Sequence, residues 1–209
     1  MESTPTAGLE GRALACRRGG RTVFRALDLA AAPGDLLVLR GANGTGKSSL
    51  LRLLAGLLAP SDGRLAWDGE AVDEDPAAHR RRVAYVGHND ALKPTLTLAE
   101  HMRFHAALRA VPGDACAAAL DAFGLGALAG VPARFLSQGQ RRRAALARLV
   151  AAPAALWLLD EPTNGLDAAS VEALARAVAR HRASGGIVVA ATHLEFAGAS
   201  ARTLTLGAA

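Results

Sequence analysis

Two hydrophobic patterns alternate along the chain. Short runs of consecutive apolar residues predict buried strands, and these runs cover residues 35–40, 83–87, 155–159, 187–191 and 202–206. Leucines recur at helical spacing from Leu50 to Leu58, where Pro60 stops the run, and an alanine-rich amphipathic stretch covers 168–182. Strands that alternate with helices predict an α/β fold with a mainly parallel core sheet, whose ligand groups lie at the carboxyl ends of the strands.

A second set of strands departs from that alternation near the start of the chain. After a loose tail, residues 9–16 and 22–31 read as two strands, and residues 64–67 and 70–72 flank the two-residue turn Asp68-Gly69. A two-residue turn of this composition is typical of a β-hairpin. These segments predict an antiparallel β subdomain beside the parallel sheet.

The stretch from about 89 to 152 has helical spacing broken by prolines and glycines, which predicts a helical subdomain. We therefore expect a single domain over 1–209. Its core and β subdomain occupy about 10–88 and 153–206, and its helical subdomain occupies about 89–152. The length of 209 residues suits such a domain, and the 51% of apolar residues is enough for a sizeable core.

Composition and charge narrow the class of protein only slightly. A net charge of +5 suits a nucleic-acid partner, an anionic membrane surface or nucleotide phosphates, although scattered arginines on a solvated surface explain it as well. The sequence contains no uncharged apolar run of about 18 residues, so it predicts no membrane-spanning helix. The polar start has no signal-peptide core, and the isolated Cys16 and Cys116 predict buried thiols in a reducing cytoplasm.

The glycine-rich segment between the strand at 35–40 and the leucine-rich helix predicts a phosphate-binding loop. It fits G-x-x-x-x-G-K-[ST] with Gly41, Ala42, Asn43, Gly44, Thr45, Gly46, Lys47 and Ser48, and Ser49 lies beside it. Glycines let backbone N–H groups close around phosphate oxygens, and the helix N-terminus adds a partial positive charge. Lys47 is expected to reach the β- and γ-phosphates, and Ser48 to place its hydroxyl on Mg²⁺.

Two carboxylates end the strand at 155–159. Asp160 is predicted to hold Mg²⁺, and Glu161 is the candidate general base for water attacking the γ-phosphorus. The alternative is a turn that merely ends a strand, which the phosphate loop makes the weaker interpretation. Ser137 and Gln140 fit a capping box at the start of a helix, and the N–H groups of the same helix with the Ser137 hydroxyl could also bind a γ-phosphate.

The order of these motifs carries a resemblance to a known family. The phosphate loop is followed by Leu136-Ser137-Gln138-Gly139-Gln140, then by Asp160-Glu161-Pro162, Gly165-Leu166-Asp167 and Thr192-His193. Over roughly residues 10–206 the chain resembles the nucleotide-binding subunits of ATP-binding cassette (ABC) transporters. The resemblance implies a P-loop ABC ATPase domain with a RecA-like core, ATP with Mg²⁺ as the cofactor set, and a homodimer.

In that family two subunits pair head to tail, and each ATP lies between one subunit's phosphate loop and the other's signature loop. By this resemblance, the signature residues serve the partner's ATP, Asp167 links the two sites and His193 contacts the γ-phosphate. The predicted signature residues are Ser137, Gln138, Gly139 and Gln140. His193 alone would more often be a surface or capping histidine, so its role depends on the family pattern.

The sequence departs from the family pattern at three places. His88 occupies the position of a glutamine that faces Mg²⁺, and Asn89 is an alternative occupant of that role. Gln138 replaces a glycine of the signature. The aromatic residue that stacks on adenine is missing; Arg18 lies at its place and Phe24 is the nearest aromatic, with Phe24 more readily read as a core residue.

Three features carry a closer resemblance within the family: the Gly87-His88 pair, and the stretches Leu156-Trp157-Leu158-Leu159-Asp160-Glu161-Pro162 and Leu96-Thr97-Leu98-Ala99-Glu100-His101. With them the chain is similar to the ATP-binding subunits of cytochrome c biogenesis, which were named haem exporters. That resemblance implies a CcmB-like membrane permease, a CcmC-like haem-handling protein and a peripheral location at the cytoplasmic face of the inner membrane. Alternatives are another small ABC exporter, a soluble ABC ATPase acting on nucleic acid, and a P-loop kinase or adaptor without hydrolysis. His101 and His105 are four positions apart on a predicted helix. We interpret them as part of a solvated helical face, with a metal site as the alternative.

Overall fold

A five-stranded parallel sheet forms the centre of the molecule. The structure is a computed structural model that describes residues 8–113, 115–192 and 201–207. The strand order is β6-β7-β8-β3-β9. The strands are β3 (Leu36–Arg40), β6 (Val83–Val86), β7 (Leu156–Asp160), β8 (Ile187–Ala191) and β9 (Arg202–Thr205). The predicted parallel sheet is confirmed, and the edge predicted to carry the ligand groups lies where β3 and β7 end.

A four-stranded antiparallel sheet lies beside it, in the order β2-β1-β4-β5. Its strands are β1 (Leu9–Arg18), β2 (Arg21–Ala31), β4 (Asp62–Trp67) and β5 (Glu70–Ala71). Both residues of the predicted hairpin turn have positive φ, 51° at Asp68 and 85° at Gly69. This backbone matches the twist of the flanking strands, which explains the Asp-Gly sequence.

Six α-helices are described outside the sheets. They are α1 (Lys47–Leu54), α2 (Pro76–Arg82), α3 (Leu98–Ala107), α4 (Ala115–Ala122), α5 (Gln138–Ala151) and α6 (Ala168–Ala183). Helices α3, α4 and α5 lie in the predicted helical region, and they share one hydrophobic core with the β7 side chains Trp157 and Leu159. The alternate β7 side chains, Leu156 and Leu158, pack with α1 on the other face. No described helix is both long and apolar enough to cross a membrane.

Helix α1 ends earlier than the leucine pattern predicts. The helix stops at Leu54, and Gly56 takes a left-handed conformation with φ of 67°. Leu57 is therefore carried out of the helix and is 60% exposed. The prediction of a helical run to Leu58 was wrong because glycine tolerates the backbone conformation that commonly ends helices.

The interpretation of His101 and His105 as a solvated helical face was also wrong. His101 is buried and its Nε2 lies 3.1 Å from the carbonyl oxygen of Lys93. His105 is half-buried, and its Nε2 lies 3.4 Å from Nη1 of Arg148. Among the described residues, no group of three or more His, Cys, Asp or Glu side chains could hold a metal ion.

The environment of His105 predicts a loss of stability in mild acid. Burial, followed by the positive charges of Arg148, His101 and Arg109, lowers the pKa of His105 from 6.5 to about 4. Between these two values the unfolded chain binds a proton that the folded chain does not, so the free energy of unfolding falls as pH drops through this window. We expect a loss of roughly 1–3 kcal/mol from this group.

The measurement is urea unfolding at several values of pH. In His105→Gln the slope of stability against pH between about 6.5 and 4 should be shallower than in the parent, because one proton-linked group is gone. Burial also lowers the pKa of His79 and His181, so some slope remains in the variant. Identical slopes in the two proteins would contradict the assignment.

Candidate functional site

The glycine loop lies between the end of β3 and the start of α1, as predicted. Gly41, Gly44 and Gly46 have φ of 143°, 86° and 98°. A Cβ atom on Gly46 would lie 2.4 Å from Cγ1 of Val23, and one on Gly41 would lie 2.6 Å from the carbonyl oxygen of Leu206. Glycine is therefore required by both backbone conformation and space, and the loop leaves the N-terminus of α1 facing the site.

Lys47 is the first residue of α1, and its side chain folds back over the loop. Its Nζ donates to the carbonyl oxygens of Gly41 at 2.7 Å and Ala42 at 3.0 Å. The Thr45 hydroxyl also donates to the carbonyl of Ala42, at 2.9 Å. These bonds hold the ammonium group at the loop, where its charge would attract a phosphate.

Ser48 and Asp160 come together from opposite parts of the chain. The Ser48 hydroxyl donates to Oδ1 of Asp160 at 3.0 Å, although the two residues are 112 positions apart. Asp160 is the last residue of β7 and is buried. A hydroxyl and a carboxylate oxygen at this separation are donors of the kind that Mg²⁺ prefers, so the residues present fit that ion.

Glu161 follows Asp160 in a left-handed conformation, with φ of 45°. Its N–H donates to the carbonyl of Ala191 at 2.8 Å, which ties the turn to the end of β8. Glu161 lines a cavity of about 380 Å³ together with His88, Asn89, Gln138 and Asn164. The structure thus brings the predicted base, both candidates for the glutamine position and one signature residue to the same cavity.

The signature residues begin helix α5 at the surface. Ser137 is the N-cap: its hydroxyl accepts from the N–H of Gln140 at 3.2 Å, and its own N–H donates to Oε1 of Gln140 at 2.8 Å. The predicted capping box is confirmed. Ser137 and Gln138 are exposed, and Gly139 and Gln140 are half-buried. This helix N-terminus is therefore open to a second molecule.

Asp167 acts as the N-cap of α6 in this structure. Its carboxylate accepts from the N–H of Ser170 at 2.8 Å. Hydrogen bonds from the Ser170 side chain and backbone lower the pKa of Asp167, so the carboxylate stays ionised. A link between two nucleotide sites remains a prediction for this residue.

The adenine-stacking candidates separate clearly. Phe24 is 5% exposed and belongs to the core beside Gly46, so it does not present a ring to a base. Arg18 is exposed near the tip of the β1–β2 hairpin, opposite Arg21.

The remaining predicted site residues lie mostly in the phosphate loop. Ala42, Asn43 and Gly44 are exposed in this loop, and Ser49 is half-buried at the start of α1. The predicted site residue His193 lies outside the described residues.

Sequence reasoning missed Arg142, which the structure places behind the site. The residue is 5% exposed and contacts the backbone on both sides of Glu161. A signal was present, because Arg142, Leu146 and Leu149 have helical spacing and share the buried stripe of α5. Three consecutive arginines hid it, since an arginine run reads first as a solvated surface.

Comparisons with known proteins agree with this geometry. A family model described as ABC transporter matches residues 24–164. The "Cytochrome c biogenesis ATP-binding export protein CcmA" of Paramagnetospirillum magneticum is 56% identical over 186 residues, which are 87% of this chain and 86% of that protein. The protein of the same name from Rhodospirillum rubrum is 54% identical over 196 residues, covering 94% and 84%.

A solved structure described as "Structure of ATP binding subunit of ABC transporter" superposes with a TM-score of 0.84 at 25% identity, covering 90% of this chain and 80% of that one. The fold and the site define an ATPase of the ABC transporter family, and the chain belongs to that family. Within it, the chain belongs with the CcmA proteins, to which it is about half identical over most of its length.

Proposed function

We propose that this chain is the ATP-hydrolysing, energy-coupling subunit of a CcmAB-type complex of cytochrome c biogenesis, which exports haem or releases a haem-loaded carrier. The observation that carries the proposal is the 3.0 Å hydrogen bond from the Ser48 hydroxyl to Oδ1 of Asp160. It joins the end of the glycine loop to the residue that immediately precedes Glu161 in sequence. The similarity to CcmA proteins over most of the chain favours this system over other small exporters.

Nucleotide binding follows from the loop. The N–H groups of the glycine loop and of the first turn of α1 face the place where phosphates would lie, and the Lys47 ammonium adds a full positive charge. Ser48 and Asp160 would hold Mg²⁺, which when bound neutralises phosphate charge. On the base side, the exposed Arg18 guanidinium is the candidate to stack on adenine, because Phe24 is buried.

Hydrolysis requires a base near the terminal phosphate. Glu161 lies immediately after the magnesium-site carboxylate and lines the open cavity, so its carboxylate would accept the proton of the attacking water. His193, by family pattern, would contact the γ-phosphate. His88, exposed at the same cavity, would take the place of the family's glutamine and report nucleotide state to the membrane partner.

Two copies of the chain would complete each site. The exposed N-terminus of α5 faces outward with the Ser137 hydroxyl, Gln138, Gly139 and Gln140, and it would meet the ATP held by the phosphate loop of the other copy. ATP would then join two surfaces, and loss of the γ-phosphate would release them. Binding energy and bond cleavage are thereby converted into opening and closing of a dimer.

The membrane partner would be a CcmB-like permease, with a CcmC-like haem-handling protein beside it, and the chain would lie peripherally on the cytoplasmic face of the inner membrane. Helix α3 presents Phe104, 54% exposed, and Leu108 follows the helix with 64% exposure. The two residues are four positions apart, so they share a face of the helical region. This face is the candidate contact for the permease.

Membrane recruitment tests the proposal. The tagged chain is expressed with or without a CcmB-like permease, and membranes are washed and assayed for bound chain. We expect retention only with that protein and its loss in Phe104→Glu. Leu57→Glu, at another exposed apolar residue, should be retained and is the matched control. Equal retention without the permease, or salt-dependent binding to DNA instead, would contradict this function.

A further inference from the structure

The guanidinium group of Arg142 has a hydrogen-bond acceptor for every N–H it carries. Nε donates to the carbonyl of Pro162 at 3.3 Å. Nη1 donates to the carbonyl of Gly87 at 2.7 Å and to Oδ1 of Asp90 at 3.2 Å. Nη2 donates to the carbonyls of Asp160 at 2.8 Å and Glu161 at 2.7 Å. An arginine has five such donors, so none is left over.

These five bonds join three separate parts of the site. Gly87 and Asp90 lie on either side of His88 after β6, and residues 160–162 form the end of β7 and the turn after it. Arg142 itself lies in the first turns of α5, after Ser137. Asp90 also supplies a negative charge to a guanidinium that is 5% exposed. A buried cation with a carboxylate and a full set of acceptors is held in one place.

The backbone at Glu161 needs such support. A non-glycine residue with φ near 45° is strained by roughly 1–2 kcal/mol. Its N–H donates to the carbonyl of Ala191 at 2.8 Å. Its carbonyl accepts from Arg142 at 2.7 Å and, at the longer distance of 3.3 Å, from the N–H of Asn164. This backbone conformation fixes the direction of the Cα–Cβ bond of Glu161, from which its carboxylate extends.

We propose that Arg142 is a positioning residue for hydrolysis: it fixes the strained turn at Glu161 and so aims the carboxylate at the attacking water. The inference rests on the proposed role of Glu161 as the base. Arg142 reaches Glu161 through backbone carbonyls, those of Glu161 itself and of its two neighbours Asp160 and Pro162. Arg142 belongs to α5, the helix that begins with the signature residues. The orientation of Glu161 in one copy therefore depends on the position of that copy's own α5.

The test uses Arg142→Gln and Arg142→Lys, with Arg143→Gln as the matched control, since Arg143 lies next to it and donates to the carbonyl of Phe123 at 3.0 Å. We expect kcat to fall about 10- to 100-fold in both Arg142 variants, as for a misaimed base. The KM and the Kd for ATP should stay within about twofold of the parent, because the phosphate loop is untouched. Lysine keeps the charge but lacks the fork, so it restores little.

A double substitution separates positioning from mere folding. In a Glu161→Gln background, adding Arg142→Gln should lower the residual rate by less than about twofold and leave ATP binding and ATP-dependent dimer formation intact. An additive loss, a lost dimer or an unchanged kcat in Arg142→Gln would each overturn the inference. If Glu161→Gln itself hydrolyses ATP at the parent rate, the base assignment fails instead, which distinguishes the two outcomes.

Discussion

Replacement of Glu161 by glutamine should reduce steady-state ATP hydrolysis by roughly 10²- to 10⁴-fold and leave a dimer that retains ATP. Glutamine is close to glutamate in size, so the turn held by Arg142 and Ala191 should survive. Its amide cannot take the proton of the attacking water. ATP then binds and is not consumed, and the contacts that join two copies persist.

Size-exclusion chromatography with light scattering provides the measurement, with ATP and Mg²⁺ or with ADP. Glu172→Gln is the control, because Glu172 is an exposed residue of α6 that pairs with Arg176 at 2.7 Å. The control should hydrolyse ATP normally and show no trapped dimer. A Glu161→Gln protein that stays monomeric with ATP, or that hydrolyses it at the parent rate, would contradict the assignment.

Replacement of Lys47 by alanine should weaken nucleotide binding and so lower the rate of ATP hydrolysis at limiting ATP. The Lys47 ammonium is held over the loop by the carbonyls of Gly41 and Ala42. Its removal takes away a charge-assisted contact to phosphate, worth roughly 1.5–3 kcal/mol, so the Kd for ATP should rise about 10- to 100-fold.

Titration with a fluorescent ATP analogue measures that constant. Lys93→Ala is the matched control, since Lys93 is an exposed lysine in the loop before α3. It should bind the analogue as the parent does. An unchanged Kd for the ATP analogue in Lys47→Ala would show that the ammonium does not contact the phosphates. The affinity would then come from the glycine loop without Lys47.

The local parts of the site were predictable from sequence. The spacing of Gly41, Gly46, Lys47 and Ser48 between an apolar strand and a leucine-rich helix indicates a phosphate loop, because backbone conformation and charge are encoded there within a few residues. The Ser137 capping box is local in the same sense, and the structure contains both of its bonds.

Features that depend on tertiary packing were not predictable. Arg142 finds its five acceptors on two loops distant in sequence, so an arginine run alone does not identify it. His105 faces Arg148 because α5 packs across α3, and His101 faces the carbonyl of Lys93 in the loop before α3. The spacing of four residues reveals neither contact. The end of α1 was predicted too late because Gly56 adopts a left-handed backbone conformation just after the helix ends.

In the proposed dimer, each ATP is held between the phosphate loop of one copy and the start of α5 of another. Asn43 and Gln138 are both exposed, one in each of these segments. A chain with Asn43→Cys and a chain of different size with Gln138→Cys, both carrying Glu161→Gln, can be mixed and treated with a short thiol cross-linker. The native Cys16 and Cys116 are buried, so they contribute little background.

We expect a cross-linked heterodimer that forms with ATP and Mg²⁺ and not with ADP. Equal cross-linking with and without ATP would contradict a nucleotide site shared between two copies. So would the absence of cross-linking between these two positions, if the same cysteine variants without Glu161→Gln hydrolyse ATP normally.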